Sequence, residues 1–283
     1  MRADGYRVGR GCGSISRASE ALTALNIITD PLFYALAVPA VLALGLSKGG
    51  FAGVGQAALP LLALAIPPFQ AGAIMLPIMI AQDAFALWVY RKDWNGRILA
   101  IMIPGAAIGV IVAWALAVHI SDAMVRIFIA VITLAFVAFN VIGAKRVAKE
   151  AQKDFGKPGV PGGMFWGALS GFSSTICQAG GPPYQIYVLR LRLAKMVFVS
   201  TNIYFFASLN WLKVGPFYAL GQFTTTTLLT SAVLLPLALA FNQLGFWLVR
   251  RVPEKVFFRI IMVLMTLVSI ELLRSGLTEL LQG

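Results

Sequence analysis

Two glycine-rich stretches hold most of the residues whose types could do chemistry in this chain. They are Gly45-Leu46-Ser47-Lys48-Gly49-Gly50-Phe51-Ala52-Gly53-Val54-Gly55 and Gly171-Phe172-Ser173-Ser174-Thr175-Ile176-Cys177-Gln178-Ala179-Gly180-Gly181-Pro182-Pro183. Glycine and proline at this density interrupt a helix. An interruption leaves free N–H groups at the start of the following half-helix, where the dipole adds about half a positive charge, and glycines let a ligand reach the backbone. Two such ends facing each other would bind an anion. Ser47, Ser173, Ser174, Thr175 and Gln178 add hydroxyl and amide groups suited to phosphate, sulfonate or carboxylate oxygens. A plainer reading is that the glycines permit close helix packing and the hydroxyls bond to their own helix. The recurrence of the pattern favours a site, with Ser47, Lys48, Gly49, Gly50, Ser173, Ser174, Thr175, Gln178, Gly180 and Gly181 as the candidate anion ligands.

Charged residues inside apolar surroundings narrow this further. Lys48 lies within the first stretch, where it attracts or counterbalances an anion, snorkels to the surface, or forms a structural pair. Asp83 is the only acid in its apolar run and either pairs with Lys48 or exchanges a coupling proton. Gln82, Asn202 and Asn210 read equally as interhelical glue or as ligands. Lys213, near the end of a run, reads as an interface anchor, and so do Arg190, Arg192, Arg250 and Arg251. Enzyme chemistry finds little support: His119 is the only histidine, it lies near a loop, and no GxSxG, HExxH or Walker A pattern occurs. Cys12 and Cys177 lack metal-ligand spacing, so neither a metal site nor a cofactor is expected.

The elements that must position these residues are membrane helices. Of 283 residues 59% are apolar and 12% charged, with a mean hydropathy of +0.83, whereas soluble domains are about 45–50% apolar and about 25% charged. The chain carries a net charge of +12. Its basic residues fall almost wholly between apolar runs, where they set orientation and meet anionic lipid, so nucleic acid is not an expected partner. The expected fold class is therefore all-α, a polytopic helical membrane protein. The apolar runs are 31–66, 70–90, 98–118, 123–143, 163–189, 196–212, 217–249 and 256–273. Those at 31–66 and 163–189 contain the two glycine-rich stretches and are not plain spanning helices.

A shift of about 126 residues lays Gly45-Leu46-Ser47 on Gly171-Phe172-Ser173 and Gly55 on Gly181. Each interrupted run is then followed by three ordinary ones. The expected organisation is an uncleaved N-terminal tail, 1–30, a first membrane repeat, 31–146, a basic cytoplasmic linker, 147–161, and a second membrane repeat, 162–283. Lys and Arg in short loops favour the cytoplasm. Counted back from the basic linker, Arg91-Lys92-Asp93 to Arg97 falls on that side, whereas Arg190, Arg192 and Lys195, and Arg250, Arg251 and Lys255, reach it only if 163–189 is a re-entrant hairpin. The same reasoning by symmetry gives a hairpin at 31–66, three crossings per half, and two inverted copies, as in many secondary transporters. The four arginines of the tail, Arg2, Arg7, Arg10 and Arg17, run against this topology, which puts them outside.

The residues also carry a resemblance. The string Gly45 to Gly55, followed by Ile66-Pro67-Pro68, is similar to the first motif of the TauE/SafE sulfite exporter family, also called the toluene sulfonate uptake permease family. Gly171 to Thr175, Ala179 to Pro183, Ile186-Tyr187 and the following basic loop resemble its second motif, and Asp83 to Tyr90-Arg91 its intervening segment. Some relatives carry His where this chain has Gln178, which removes one titratable candidate. The resemblance implies a duplicated, proton-linked carrier of sulfite, sulfonates or related small anions in the cytoplasmic (inner) membrane. Its partners would be a small anionic substrate, protons and the lipid bilayer, and small-residue faces leave room for a homodimer. The alternative is a transporter or channel-like protein for another small organic or inorganic anion.

Overall fold

A computed structural model describes residues 27–49, 54–138, 159–249, 251 and 254–282. Residues 1–26, 50–53, 139–158, 250, 252, 253 and 283 lie outside that range, and with them most of the expected tail, including Arg2, Arg7, Arg10, Cys12 and Arg17, as well as Gly50, the end of the first repeat, most of the linker and Arg250. Every described element is helical. They are α1 (Pro31–Gly49), a 3-10 turn (Val54–Ala57), α2 (Ala58–Ala63), α3 (Pro68–Val89), α4 (Gly96–Ala117) and α5 (Asp122–Ala138). There follow α6 (Val160–Cys177), α7 (Gly181–Val188), a 3-10 turn (Leu189–Leu191), α8 (Lys195–Ala219), α9 (Thr225–Val249) and α10 (Glu254–Gln282). Five helices, within α1, α3, α4, α9 and α10, are long and apolar enough to cross a membrane. The chain is a multi-pass membrane protein of the all-α class.

Local sequence sets the boundaries. Pro68 starts α3, Pro161 sits in the first turn of α6, and Pro182 and Pro183 occupy the first turn of α7, where a missing N–H costs nothing. Asn95 caps α4 by accepting from the Ile98 N–H at 3.1 Å. Interior prolines, among them Pro77, Pro104, Pro216 and Pro236, are carried within long helices, as membrane helices with packed neighbours allow.

Each half contains one interrupted segment and three further helices, and the packing keeps the same pattern when the halves are exchanged. Thus α4 packs on α6 and α9 on α1; α8 packs on α4 and α9 on α3; α3 meets α8, and α5 meets α10. Glycine makes the closest of these contacts. A Cβ on Gly109 would stand 1.9 Å from the Ala168 carbonyl oxygen, and one on Gly171 would stand 2.2 Å from that of Ala106. In the exchanged pair, α1 and α9, a Cβ on Gly45 would stand 2.6 Å from Phe241. Only glycine lets these backbones approach so far.

Cross-contacts also give directions. Gly105 on Met164 and Gly109 on Ala168 make α4 and α6 parallel. Gly72 on Phe217 and Asp83 on Asn210 make α3 and α8 antiparallel. The Asn95 N–H donates to Thr201 Oγ1 at 2.9 Å, and Trp94 stacks on Tyr204. The basic loop before α4 therefore lies at the same end of the bundle as the start of α8. Gly163, early in α6, faces the ring of Tyr187, late in α7, so α7 folds back along α6. After the first interruption Gly55 comes back beside Ser47.

Candidate functional site

The second interruption is the better defined. α6 ends because Gln178 adopts a left-handed conformation, φ 55°, and its N–H bonds back to the Ser174 carbonyl at 3.1 Å. The Ala179 N–H bonds to the Ser173 carbonyl at 3.2 Å, and α7 begins at Gly181. Pro182 and Pro183 have no N–H, so the start of α7 offers a ligand only the donors of Gly180 and Gly181 together with its dipole. That is fewer free donors than a helix start ordinarily presents. Gly180 is also a packing residue, since its Cβ would stand 2.9 Å from the Ser170 carbonyl oxygen.

The hydroxyls divide into two sets. Ser173 Oγ donates to the Leu169 carbonyl at 2.7 Å and Thr175 Oγ1 to the Gly171 carbonyl at 2.8 Å, so both spend their hydrogen on their own helix. Ser170 does the same across the hairpin, donating to the Gly180 carbonyl at 2.7 Å. Ser174 differs: its Oγ accepts from Lys213 Nζ at 3.3 Å, which leaves its hydrogen free for another acceptor.

Lys213 corrects the sequence reading. Instead of anchoring at the interface, it is fully buried on α8, with Nζ donating to Gln178 Oε1 at 2.7 Å as well as to Ser174. Hydropathy placed it at the end of a run, but α8 continues to Ala219, which leaves Lys213 in its interior. Both of its partners are neutral, and among the described residues it has no ion pair. It lies within electrostatic reach of Asp83, which attracts it, and of Lys48, which repels it.

The first interruption contributes a different arrangement. Lys48, in the last turn of α1, is paired with Asp83 of α3, and the second carboxylate oxygen of Asp83 accepts from Asn210 Nδ2 at 2.6 Å. Asp83 and Asn210 are both 1% exposed. Both carboxylate oxygens are thus engaged by α1 and α8. Neighbouring Gln82 donates to Asn242 Oδ1 of α9 at 2.9 Å. Ser47 is half-buried against Gly55, and Gly49 closes α1. Gly50 lies outside the described residues.

Gln56 joins the two interruptions. It is buried in the 3-10 turn of the first half, and its Nε2 lies 2.8 Å from where a Cβ of Gly181 would stand. Its Oε1 and the Gln178 Nε2 are buried without a hydrogen-bond partner. Sequence reasoning missed Gln56 altogether, although it follows Gly55 directly and is the only amide in that stretch. Of the candidates from sequence, the fold brings Lys48 and Asp83 together in one pair and Ser174 and Gln178 together around Lys213. It turns the hydroxyls of Ser173 and Thr175 away. Among the described residues no group of three or more His, Cys, Asp or Glu is placed to hold a metal.

A family model described as Sulfite exporter TauE/SafE matches residues 37–272, which include both interruptions, Asp83 and Lys213. No curated protein and no solved structure matches the chain.

Proposed function

The chain belongs to the TauE/SafE sulfite exporter family, and on that premise we propose that it is a secondary carrier of small sulfur-containing anions, sulfite or sulfonates, in the cytoplasmic membrane. The observation that carries this reading is Lys213, a fully buried ammonium whose partners at the second interruption are both neutral. Removing such a group from water costs several kcal/mol unless it is paired. A small anion beside Ser174, Gln178 and the start of α7 supplies that pair, and the free hydrogen of Ser174 and the unpartnered Gln178 Nε2 mark donor capacity there.

The antiparallel course of α3 and α8 and the exchange of packing partners between halves support an inverted pair of repeats, one rocking against the other around that site. Proton linkage is part of the proposal, with the Lys48–Asp83 pair as its candidate group. The test is uptake of labelled sulfite and sulfonates into proteoliposomes, with and without a pH gradient and under counterflow. Saturable, gradient-sensitive, counterflow-competent uptake is expected. Conductance without exchange would make the protein a channel, and uptake of no sulfur anion would overturn the substrate class.

A further inference from the structure

The charges around the site can be counted. Lys48 and Asp83 cancel in a pair that is closed on both carboxylate oxygens, and Lys213, beside the second interruption and within reach of the Asp83 charge, remains without an ion pair among the described residues. The neighbours that face Lys213 are neutral: Ser174 and Gln178 touch it, while Asn210, one turn earlier on the same helix, is turned to Asp83. We propose that the site is built for a single monovalent oxyanion, a sulfonate or hydrogen sulfite, and rejects dianions such as sulfate because it holds one spare positive charge and few donors. This rests on the carrier function proposed above and specifies its substrate class.

Three features point the same way. A monoanion beside Lys213 leaves the assembly of Lys48, Asp83, Lys213 and ligand neutral, whereas a dianion leaves one buried negative charge uncompensated. The start of α7 cannot make up the difference, since its prolines remove two backbone donors and its dipole amounts to about half a charge. Ser174 and Gln178 Nε2 offer a ligand donors but no charge, as suits an oxyanion whose several oxygens share one charge.

The experiment is competition against labelled sulfite uptake in proteoliposomes of the full chain, using methanesulfonate and sulfate as unlabelled probes of similar shape and different charge. Methanesulfonate is expected to compete at a concentration at least about tenfold below that of sulfate, given the cost of an uncompensated buried charge. Asp83→Asn raises the count by one and should narrow that difference. The double variant Lys48→Gln/Asp83→Asn returns the count to one and should restore the preference, whatever its rate. If the single variant does not fold, the wild type and the double variant still decide. Sulfate competing as well as methanesulfonate in wild-type protein, or an unchanged preference in a folded Asp83→Asn variant, would overturn the charge count while leaving the carrier function intact. Should wild-type protein take up no sulfur anion, the carrier function falls instead. Thermal stabilisation of the purified protein by methanesulfonate against sulfate then reads the charge count alone, with equal stabilisation overturning it.

Discussion

The two interruptions open alike, Gly-Leu-Ser against Gly-Phe-Ser, and end on a matching glycine, yet they handle charge in opposite ways. In the first, the lysine sits on the broken helix itself and is neutralised by an acid from the next long helix. In the second, the position that the repeat lays on Lys48 is Ser174, and the lysine arrives from α8 to meet that serine without an acid. Side chains thus set the two interruptions apart: one closed ion pair ties α1 to α3 and, through Asn210, to α8, and one buried ammonium meets only neutral groups.

The sharpest way to break this comparison is to remove each lysine. Lys213→Met should abolish saturable uptake, a loss of at least about 30-fold, because truncating one member of a buried charged contact typically costs 2–5 kcal/mol or more. The variant should stay monodisperse, since methionine fills a similar volume. Lys48→Met should retain measurable uptake but lower thermal stability. Equal losses of uptake in the two variants, measured in proteoliposomes, would dissolve the distinction between a closed and an open lysine.

The glycine contacts test whether the two exchanged helix pairs, α4 with α6 and α1 with α9, make equal demands. Gly109→Ala drives a Cβ to 1.9 Å from a carbonyl oxygen, and Gly45→Ala drives one to 2.6 Å from Phe241, so both should fall within or above the roughly 1–3 kcal/mol typical of overpacking. Gly215→Ala, with nothing within 4 Å of the new methyl, should be neutral or slightly stabilising. Melting of the purified protein in detergent checks all three. A tolerant Gly45→Ala beside an intolerant Gly109→Ala would confine the tight packing to α4 and α6.

How much of this was legible in the sequence follows from where each signal lives. Membrane class, the two interruptions and the run of helices after each rest on composition and glycine spacing, which the fold realises as α1 to α5 and α6 to α10. The Lys48–Asp83 contact was legible as one alternative, since an acid and a base in apolar runs have few better options than each other. Lys213 was not, because hydropathy reads a lysine near the end of a run as an anchor and carries no information on which neighbours face it. The fate of the hydroxyls was equally hidden. Ser173, Ser174 and Thr175 are indistinguishable in composition, and only helix phase turns two toward their own carbonyls and one toward α8. Gln56 gains significance solely from Gly181, which is distant in sequence.

Breaking the Asp83 contact should have a smaller effect than an isolated buried pair would suggest. Asp83→Ala leaves Lys48 without its partner and Asn210 without its acceptor, and breaking a buried pair costs about 3–5 kcal/mol. The Lys48 side chain retains 24% exposure, so partial solvation should hold the loss to the low end, about 3 kcal/mol or below. Lys48→Gln/Asp83→Asn should recover much of it by replacing charges with amides. Detergent melting curves of the three proteins are the measurement. A double variant no more stable than Asp83→Ala would mean that Asp83 serves Asn210 or a proton rather than Lys48.

The finest distinction lies within three consecutive residues. Ser174 Oγ accepts from Lys213 at a long 3.3 Å and keeps a hydrogen to give, so Ser174→Ala removes a modest contact to a charged group and one donor to the anion. A net loss of about 1 kcal/mol, the usual value of a hydrogen bond, corresponds to a three- to tenfold rise in the KM for sulfonate uptake with little change in maximal rate. Ser173→Ala and Thr175→Ala remove bonds to the carbonyls of Leu169 and Gly171 and, for Ser173, a longer one of 3.2 Å to the Ala179 carbonyl in the interruption. The carbonyls of Leu169 and Gly171 lie within α6, where the backbone ladder already engages them, and the Ala179 bond is long, so uptake should stay within about twofold of wild type. Kinetics in proteoliposomes resolve the three variants. If Ser173→Ala or Thr175→Ala raised KM as much as Ser174→Ala, the hydroxyls would turn from the helix to the ligand when it binds, and α6 would be a moving part of the site rather than its fixed wall.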